Sequence, residues 1–261
     1  IGTANWSNVA VGFTSAAGIS ANSLYTWASP YTNNAENALG NQELLFVSSP
    51  IQVGTSSWSS VSTGNNFTLA IRTGGSLFSW GLNNYGQLGL GDSIDRVSPV
   101  QIGTSSWLAV ANKLNDVSAF AIRSDYKLFG WGYNAYGQLG NGTVTNSSSP
   151  IQIGAGTTWS SIATGQYHTA ALQNNGTLWS WGYNANGELG LGDTLNRSSP
   201  VQIGDKKWVD VSVSAENSGA IRSDGALFTW GWGGAGNLGD GTTVNKSSPV
   251  QIGSSSWTAV S

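Results

Sequence analysis

The stretch W-G-Y-N-A-Y-G-Q-L-G, residues 131–140, returns along the chain and decides the fold. Close copies begin at Trp80 and Trp181, a shorter copy begins at Trp230, and a degenerate copy begins at Trp27. The five leading tryptophans follow one another at intervals of 53, 51, 50 and 49 residues. A fixed period in this range is the signature of a repeat architecture, in which each unit buries its apolar face only by stacking on its neighbours.

Two further patterns keep the same period. One is a Ser-Pro pair before a short apolar–Gln–apolar–Gly run, found at Pro50, Pro99, Pro150, Pro200 and Pro249. The other is a Trp followed three residues later by Val or Ile, found at Trp6, Trp58, Trp107, Trp159, Trp208 and Trp257. Because three unrelated patterns share one phase, the repeat belongs to the whole chain and is not an accident of composition.

The composition favours an all-β chain. Of the 261 residues, 36 are Gly and 13 are Trp, whereas the charged residues make up only 9%. Gly- and Asn-rich turns interrupt the chain every few residues, and no window shows the sustained apolar spacing of three and four residues that an amphipathic helix needs. Since the chain contains no Met, we expect it to be a processed product or part of a longer polypeptide.

One repeat, residues 150–199, shows how many strands a period holds. Residues 151–153, 159–163, 168–173 and 177–181 read as short strands, and Asn175-Gly176 reads as a hairpin turn. Four strands and a long glycine-rich loop per period predict a β-propeller with four-stranded blades of about 50 residues. We predict a single domain over residues 1–261, with a degenerate repeat at 1–49, repeats at 50–98, 99–149, 150–199 and 200–248, and a partial repeat at 249–261. These are five visible repeats, and a larger seven-bladed ring is left open.

The motifs resemble the regulator-of-chromosome-condensation repeat family, whose pattern is a strand, a D-G or N-G turn, a Trp-Gly and Asn run ending in G-Q-L-G, and a loop closing on Pro-Val. Matches lie at residues 75–100, 125–151, 175–201 and 224–250, with a looser match at 23–51. The resemblance implies a β-propeller but no single activity. Its founder is a nucleotide exchange factor on chromatin, whereas relatives include enzyme inhibitors and bacterial and phage surface proteins. This chain shows five periods where family propellers often have seven blades, and it lacks a basic tail, so a chromatin role is not favoured.

The two ends of the chain carry the same pattern. Residues 1–10 align with residues 252–260, so a ring closed by five blades would hold one surplus strand. Either the array continues in a longer polypeptide, which we favour, or the surplus strand packs elsewhere, for instance on a neighbouring chain. The degenerate first repeat, residues 11–49, has the atypical character of a capping repeat.

The sequence contains no constellation for catalysis, a metal or a cofactor. Cys is absent, which excludes thiolate chemistry, and His168 is the only histidine. Asp92, Asp193 and Asp240 each stand beside a Gly in different repeats, which suits turn capping better than a shared metal site. We therefore predict no enzyme activity, no metal and no cofactor.

The charge limits the class of partner. The net charge is −3 and the Lys and Arg residues are scattered, whereas binding to nucleic acid phosphates needs a basic face. No apolar run is long enough to span a bilayer. We predict neither a nucleic-acid partner nor membrane insertion.

The variable part of the long loops is the predicted binding surface, because Tyr, Trp and Asn combine flat apolar faces with adaptable hydrogen bonding. The predicted binding residues are Asn83, Asn84, Tyr85, Tyr133, Asn134, Tyr136, Tyr183, Asn184, Asn186 and Trp232. The alternative interpretation is that Asn holds the loop turns and Tyr covers the blade edges.

Together these features predict a non-enzymatic structural and recognition module of an extracellular or virion-associated protein, of the phage-fibre or adhesin kind. The expected location is extracellular, at a cell surface or in a virion. The expected partner is a protein, a surface glycan, or other copies or subunits of a larger assembly. The alternatives are a soluble protein-binding propeller of inhibitor or exchange-factor type, and a lectin.

Overall fold

The computed structural model describes residues 5–13, 15–28, 39–40, 48–112, 117–155 and 158–260. The strands are β1 Trp6–Val11, β2 Ser15–Ser20, β3 Ser23–Ala28, β4 Ile51–Gln52, β5 Trp58–Thr63, β6 Phe67–Arg72, β7 Ser76–Gly81, β8 Arg96–Ala111, β9 Ser118–Arg123, β10 Leu128–Gly132, β11 Ser147–Ile153, β12 Trp159–Thr164, β13 His168–Gln173, β14 Leu178–Gly182, β15 Arg197–Gln202, β16 Trp208–Val213, β17 Asn217–Arg222, β18 Leu227–Gly231 and β19 Lys246–Gln251. No α-helix occurs within the described ranges, and so none there is long and apolar enough to cross a membrane. The all-β prediction is confirmed for this part of the chain.

The strands form antiparallel four-stranded blades in chain order. Strands β1 to β4, β12 to β15 and β16 to β19 each form one sheet. Strands β5 to β11 form a seven-stranded sheet, because the 16-residue β8 pairs with β7 through its first part and with β9 through its second part. That sheet is two blades sharing one long strand, so five blades correspond to the five predicted repeats. In the degenerate first repeat, Leu39 and Gly40 are described, while Asn37 and Ala38 lie outside the described residues.

A β-bulge explains why each blade opens with a Trp and a Val or Ile three residues later. Two residues three apart in a regular strand point to opposite faces of the sheet. The register of β5 on β6 shifts between Trp58 and Ser60, and the extra residue of the bulge brings Trp58 and Val61 to the same buried face. The same shift occurs after the opening Trp of β1, β12 and β16 and after Trp107 in β8.

The chain divides into two compact units. The first comprises residues 1–125, 129–133 and 146–151, and the second comprises residues 126–128, 134–145 and 152–261. The core of the first unit includes Phe67, Leu69, Leu88, Trp107 and Trp131, and that of the second includes Leu172, Ile203, Trp208, Val213 and Trp230. The prediction of a single domain over the whole chain stays a prediction.

The leading Trp of each repeat after the first packs on the loop of the repeat before it. In the second unit Trp181 is fully buried, and its indole N–H donates a hydrogen bond of 2.7 Å to the backbone carbonyl of Gln138. A Cβ at Gly140 would lie 2.6 Å from the Trp181 indole nitrogen, so only glycine fits there. Equivalent indole hydrogen bonds of 2.8 Å run from Trp230 to the backbone carbonyl of Glu188 in the second unit and from Trp131 to that of Gln87 in the first unit.

The hairpin turn predicted at Asn175-Gly176 is present and has counterparts in other repeats, one of which holds an unusual residue. Gly75, Gly176 and Gly225 sit at equivalent turns with φ of 86°, 79° and 87°. Tyr126 takes the same place with φ of 63°. Left-handed backbone costs a residue with a Cβ about 1–2 kcal/mol, so this turn is locally strained.

Candidate functional site

The long loops place the predicted binding residues in three environments. Asn83, Asn134 and Asn184 are completely buried. Asn84 and Tyr85 are exposed, and the half-buried residues are Tyr133, Tyr136, Tyr183, Asn186 and Trp232. Only the second and third groups present side-chain surface to a partner.

The buried asparagines hold their own loops closed. The Nδ2 group of Asn134 donates to the carbonyls of Thr143 and Thr145 at 3.0 and 2.9 Å, and its Oδ1 accepts from the Leu139 amide at 2.9 Å. Asn83 and Asn184 make the same three bonds in their repeats. The placement of these three asparagines on a binding surface is therefore corrected, because buried loop carbonyls and amides need partners and these side chains supply them.

In the second unit three half-buried tyrosines converge, and Tyr136, Tyr167 and Tyr183 are called the tyrosine surface below. The ring centroid of Tyr136 lies 5.0 Å from that of Tyr167 and 5.1 Å from that of Tyr183, and the latter two are 6.3 Å apart. The ring planes are inclined by 58° to 72°, an arrangement that aromatic pairs favour.

Tyr167 was missed by the sequence analysis because it stands just before β13 and not in a long loop. Its backbone carbonyl accepts the amide N–H of Tyr183 at 2.9 Å. The pairing of β13 with β14 thus places two tyrosines side by side that are 16 positions apart in the sequence. In each repeat the residue before the third strand and the residue after Trp-Gly are brought together by strand pairing. A comparison of these two positions in the sequence would have identified Tyr167.

Two carboxylates influence the tyrosine surface. Glu188 is buried, and its carboxylate accepts hydrogen bonds from the amide and the Nδ2 group of Asn186, each at 2.9 Å. Burial raises the pKa of the Glu188 carboxyl. Glu216 is exposed. Burial first, and then the negative charges of Glu188 and Glu216 and the neighbouring Tyr136, raise the pKa of the Tyr183 hydroxyl. The Tyr183 hydroxyl therefore stays neutral at physiological pH beside negative charge.

The remaining predicted residues lie at equivalent places in other loops. In the first unit the rings of Tyr85 and Tyr133 pack edge to face at 5.0 Å, next to the exposed Asn84. In the second unit the amide of Trp232 donates to the Glu216 carbonyl at 3.0 Å. A binding role for these residues stays a prediction.

His168 is a buried structural residue. Its Nε2 lies 3.0 Å from the hydroxyl of Ser218, which itself donates to the Glu188 carbonyl at 2.9 Å. Since the hydroxyl proton is used on that carbonyl, Nε2 carries the imidazole proton and Nδ1 is bare, with no partner among the described residues. Burial lowers the pKa of His168 to about 3. A buried imidazole that stays neutral at physiological pH and meets no carboxylate among the described residues is placed as a structural residue, in line with the interpretation of the sequence.

The loop aspartates cap turns, as expected. Asp92 accepts from the Ile94 amide at 3.0 Å and pairs with Arg96 at 2.6 Å, and these contacts lower its pKa. Asp193 makes the same contacts in its repeat, and Asp240 accepts from the Thr242 amide. Over the described ranges no three acidic or His side chains group closely enough to hold a metal ion.

Three grooves at equivalent blade positions were not expected from the sequence. Each has a volume of about 360 to 400 Å³ and is lined by a strand-opening Trp, a Gln and a Ser-Pro pair. In one groove of each unit an Arg lies 4.7 or 4.8 Å over a Phe ring, Arg123 on Phe129 and Arg222 on Phe228. Both guanidinium groups also pair with the turn aspartate two residues later, so their charge is already matched within the blade.

Four-stranded blades that seat a Trp on the preceding loop define a repeat protein of the β-propeller class. The family model "Regulator of chromosome condensation (RCC1) repeat" matches residues 74–111, 126–172, 175–221 and 224–261, and a second RCC1 repeat model matches 58–87 and 159–188. These segments cover more than half of the sequence, and the chain belongs to the RCC1 repeat family.

Known proteins resemble this chain over part of its length. The Arabidopsis thaliana ultraviolet-B receptor UVR8 is 34% identical over 105 residues, which is 38% of this chain and 23% of UVR8. The human X-linked retinitis pigmentosa GTPase regulator is 36% identical over 95 residues, 36% of this chain and 9% of that protein. The human probable E3 ubiquitin-protein ligase HERC3 is 32% identical over 120 residues, 44% of this chain and 11% of HERC3. The chain thus spans less than a quarter of each relative.

Solved structures match the fold more widely. Yeast RCC1 (Prp20), solved with Kap60 bound to it, aligns with a TM-score of 0.83 at 21% identity, covering 97% of this chain and 62% of Prp20. Human WBSCR16 aligns with a TM-score of 0.80 at 22% identity, covering 96% of this chain and 67% of that chain. The predicted RCC1-type β-propeller fold is confirmed by these matches.

Proposed function

We propose that this chain is a non-enzymatic recognition module that binds a protein partner through the tyrosine surface. The observation that carries the proposal is the cluster of three half-buried rings with centroids 5.0 to 6.3 Å apart. Tyrosine offers a large, rigid and amphipathic contact area at low conformational-entropy cost, and aromatic residues are enriched in protein interfaces for that reason. Tyr167 and Tyr183 directly adjoin paired strands, so the surface is held in place before a partner arrives.

Structural neighbours support a protein as the class of partner. Yeast RCC1 was crystallised with Kap60, and another structure of Prp20p is described together with its binding to Gsp1p and histones. Those partners are properties of the yeast protein. For this chain we propose only the general property that an RCC1-type propeller binds a protein.

The exposed Glu216 and the buried Glu188 indicate the chemistry of the partner. A negative potential beside aromatic faces favours a positively charged group, and a guanidinium also stacks on tyrosine. The partner segment is therefore proposed to carry an Arg that stacks on the tyrosine surface and faces Glu216. A neutral or acidic segment would leave the Glu216 charge without a complement.

An extracellular or virion setting, in a fibre or adhesin, is the second part of the proposal. Its support is compositional: only 9% of residues are charged and Cys is absent. A soluble propeller of inhibitor or exchange-factor type is the alternative, and it suits the eukaryotic relatives. Native mass spectrometry and fractionation of the natural source separate them, because a free cytosolic monomer would contradict the virion or surface setting.

Panning a random peptide library against the chain tests the binding surface. The double variant Tyr136→Ser, Tyr183→Ser is compared with Tyr126→Asn, which removes an exposed tyrosine outside the surface. We expect Arg-containing peptides that bind the wild type and the control equally and bind the double variant at least about tenfold more weakly. Thermal melts establish that the double variant is folded.

Unchanged peptide affinity in a folded double variant would contradict the proposal. A glycan array run on the same proteins is the arm for the lectin alternative. Sugar binding that depends on Tyr136 and Tyr183, without any peptide binding, would replace a protein partner with a glycan.

A further inference from the structure

One of the three grooves, in an internal repeat of the second unit, differs in chemistry from the other two. It has a volume of about 360 Å³, and no Asp, Glu, Lys or Arg is found among the described residues that line it. The side chains on which its chemistry depends are those of Asn141, Gln152, Trp159, Gln173, Trp179 and Ser199. In the other two grooves an Arg takes the place of Gln173 opposite the strand-opening Trp, and a Phe takes the place of Trp179. This groove is called the Trp179 groove below.

Trp179 gives this groove an aromatic ring that no cation covers. In the other two grooves an Arg stacks on Phe129 or Phe228 at 4.7 or 4.8 Å, so a guanidinium already occupies one face of each ring. Trp179 is half-buried, and no cationic group of the described residues lies over it. Its ring meets the buried Trp159 edge to face, with centroids 6.4 Å apart. The Trp179 indole is therefore the aromatic surface on which a ligand can stack.

Thr177 holds the indole and the neighbouring amide in place. Its buried hydroxyl accepts a hydrogen bond from the Trp179 Nε1 at 2.9 Å and donates one to the Asn175 Oδ1 at 2.8 Å. The same hydroxyl oxygen lies 3.3 Å from the Gln173 Oε1. The corresponding residues of the other two grooves have no hydroxyl and are Lys127 and Ala226. The Trp179 groove is thus pre-organised by a contact that the other two grooves lack.

The polar side chains of the Trp179 groove retain hydrogen-bonding groups for a ligand. Gln152 donates through Nε2 to the Gly154 carbonyl at 3.0 Å, which leaves its Oε1 as an acceptor. Asn141 accepts the Thr143 amide at 3.1 Å through Oδ1, which leaves its Nδ2 as a donor. The Ser199 hydroxyl can both donate and accept. All of these groups are uncharged.

This set of groups favours a neutral ligand with several hydroxyls and one apolar face. A charged ligand would find no opposite charge among the described lining residues. A peptide strand would need free backbone groups at the edge, but the Gly154 carbonyl is already bonded to Gln152. A pyranose ring has hydroxyls around its rim and C–H groups on its faces, and the volume of the groove suits a small ligand.

We propose that the Trp179 groove binds a neutral pyranose sugar. The sugar stacks on the Trp179 indole, and its hydroxyls bond to Asn141, Gln152 and Ser199. The groove shares none of its described lining residues with the tyrosine surface. Sugar binding is therefore a second function, independent of the proposed protein partner.

The triple variant Gln173→Arg, Asn175→Asp, Trp179→Phe removes the site with side chains that the fold already accommodates. The other two grooves have Arg, Asp and Phe at these positions, with the Arg paired to the Asp and stacked on the Phe. The control is the double variant Tyr136→Ser, Tyr183→Ser, which keeps the Trp179 groove and loses the tyrosine surface. Thermal melts establish that both variants are folded.

Heteronuclear NMR of the indole N–H groups, during titration with methyl pyranosides of glucose, galactose, mannose and N-acetylglucosamine, is the measurement. The single variant Trp179→Phe identifies the Trp179 signal. We expect at least one of these glycosides to shift that signal in the wild type and in the tyrosine double variant. Saturation-transfer NMR of the sugar is expected to show at least about tenfold weaker binding to the triple variant, which has lost the stacking surface.

Four results overturn the proposal. The first is a Trp179 signal that none of the glycosides shifts, and the second is a folded triple variant that binds the sugar as the wild type does. The third is sugar binding that disappears in the tyrosine double variant, which would assign the sugar to the tyrosine surface. The fourth is a peptide that shifts the Trp179 signal when no glycoside does, which would assign the groove to a protein.

Discussion

His168 provides a prediction whose size follows from its surroundings. The imidazole is buried, faces the Ser218 hydroxyl at 3.0 Å and has a pKa lowered to about 3. In the unfolded chain a histidine titrates at about 6.5. Between these two pKa values the imidazole binds a proton in the unfolded state but not in the native state. The free energy of unfolding therefore decreases as the pH falls from about 6.5 towards about 3.

The perturbation is His168→Phe. Phe67 occupies the same register position as His168, each opposite the glycine that ends its partner strand, and Phe67 is fully buried. In the variant the Ser218 hydroxyl keeps its bond to the Glu188 carbonyl, so no buried donor is stranded. Each pH unit below about 6.5 costs the wild type about 1.4 kcal/mol, which amounts to about 2.7 kcal/mol at about pH 4.5.

The assay is urea unfolding of the wild type and the variant at about pH 7.5 and about pH 4.5. Titrating carboxylates affect both proteins alike and cancel in the difference between them. We expect the variant to gain about 2 to 3 kcal/mol relative to the wild type on acidification. Because His168 is the only histidine, its ring proton signals in NMR report its pKa directly.

A free-energy difference between wild type and variant that does not change with pH would refute the reasoning. An NMR midpoint near about 6.5 would do so as well, since it would mean that the imidazole is charged without penalty in the folded chain. His168→Gln, which retains an N–H donor for Ser218, is expected to behave like His168→Phe in its pH dependence because it does not titrate.

Three further predictions use matched pairs or a single substitution. Trp181→Phe is expected to lower the unfolding free energy, measured with urea, by about 1 kcal/mol more than Trp159→Phe does. Only Trp181 loses an indole hydrogen bond, because the Trp159 indole N–H has no acceptor among the described residues. Equal losses of unfolding free energy would contradict a stabilising role for the bond between Trp181 and Gln138. Asn134→Ala is expected to lower the unfolding free energy by about 2 to 4 kcal/mol because it strands buried loop groups, whereas Asn84→Ala on the surface should change it by less than about 0.5 kcal/mol. Tyr126→Asn is expected to raise the melting temperature by relieving about 0.5 to 1 kcal/mol of left-handed strain, and a lower melting temperature would show that the Tyr126 ring packs favourably at the turn.

The candidate site was only partly predictable from the sequence. Tyrosines in glycine-rich loops are typical of binding surfaces, which predicts Tyr136 and Tyr183 from the sequence, and the structure brings their ring centroids to 5.1 Å from each other. The same pattern predicts Asn134, yet its side-chain amide group makes all of these hydrogen bonds within the loop that carries it. Composition cannot separate these cases, because the burial of an Asn depends on which loop groups its side chain reaches in the folded chain.

The sequence by itself determined the repeat, the four strands per blade and the hairpin turns. These features depend on local periodicity and backbone conformation, which a few adjacent residues specify. The tertiary structure alone decided that Tyr167 lies beside Tyr183 and that Trp181 reaches Gln138 across 43 positions. Those outcomes depend on which blade packs against which loop, and a short sequence motif does not specify that contact.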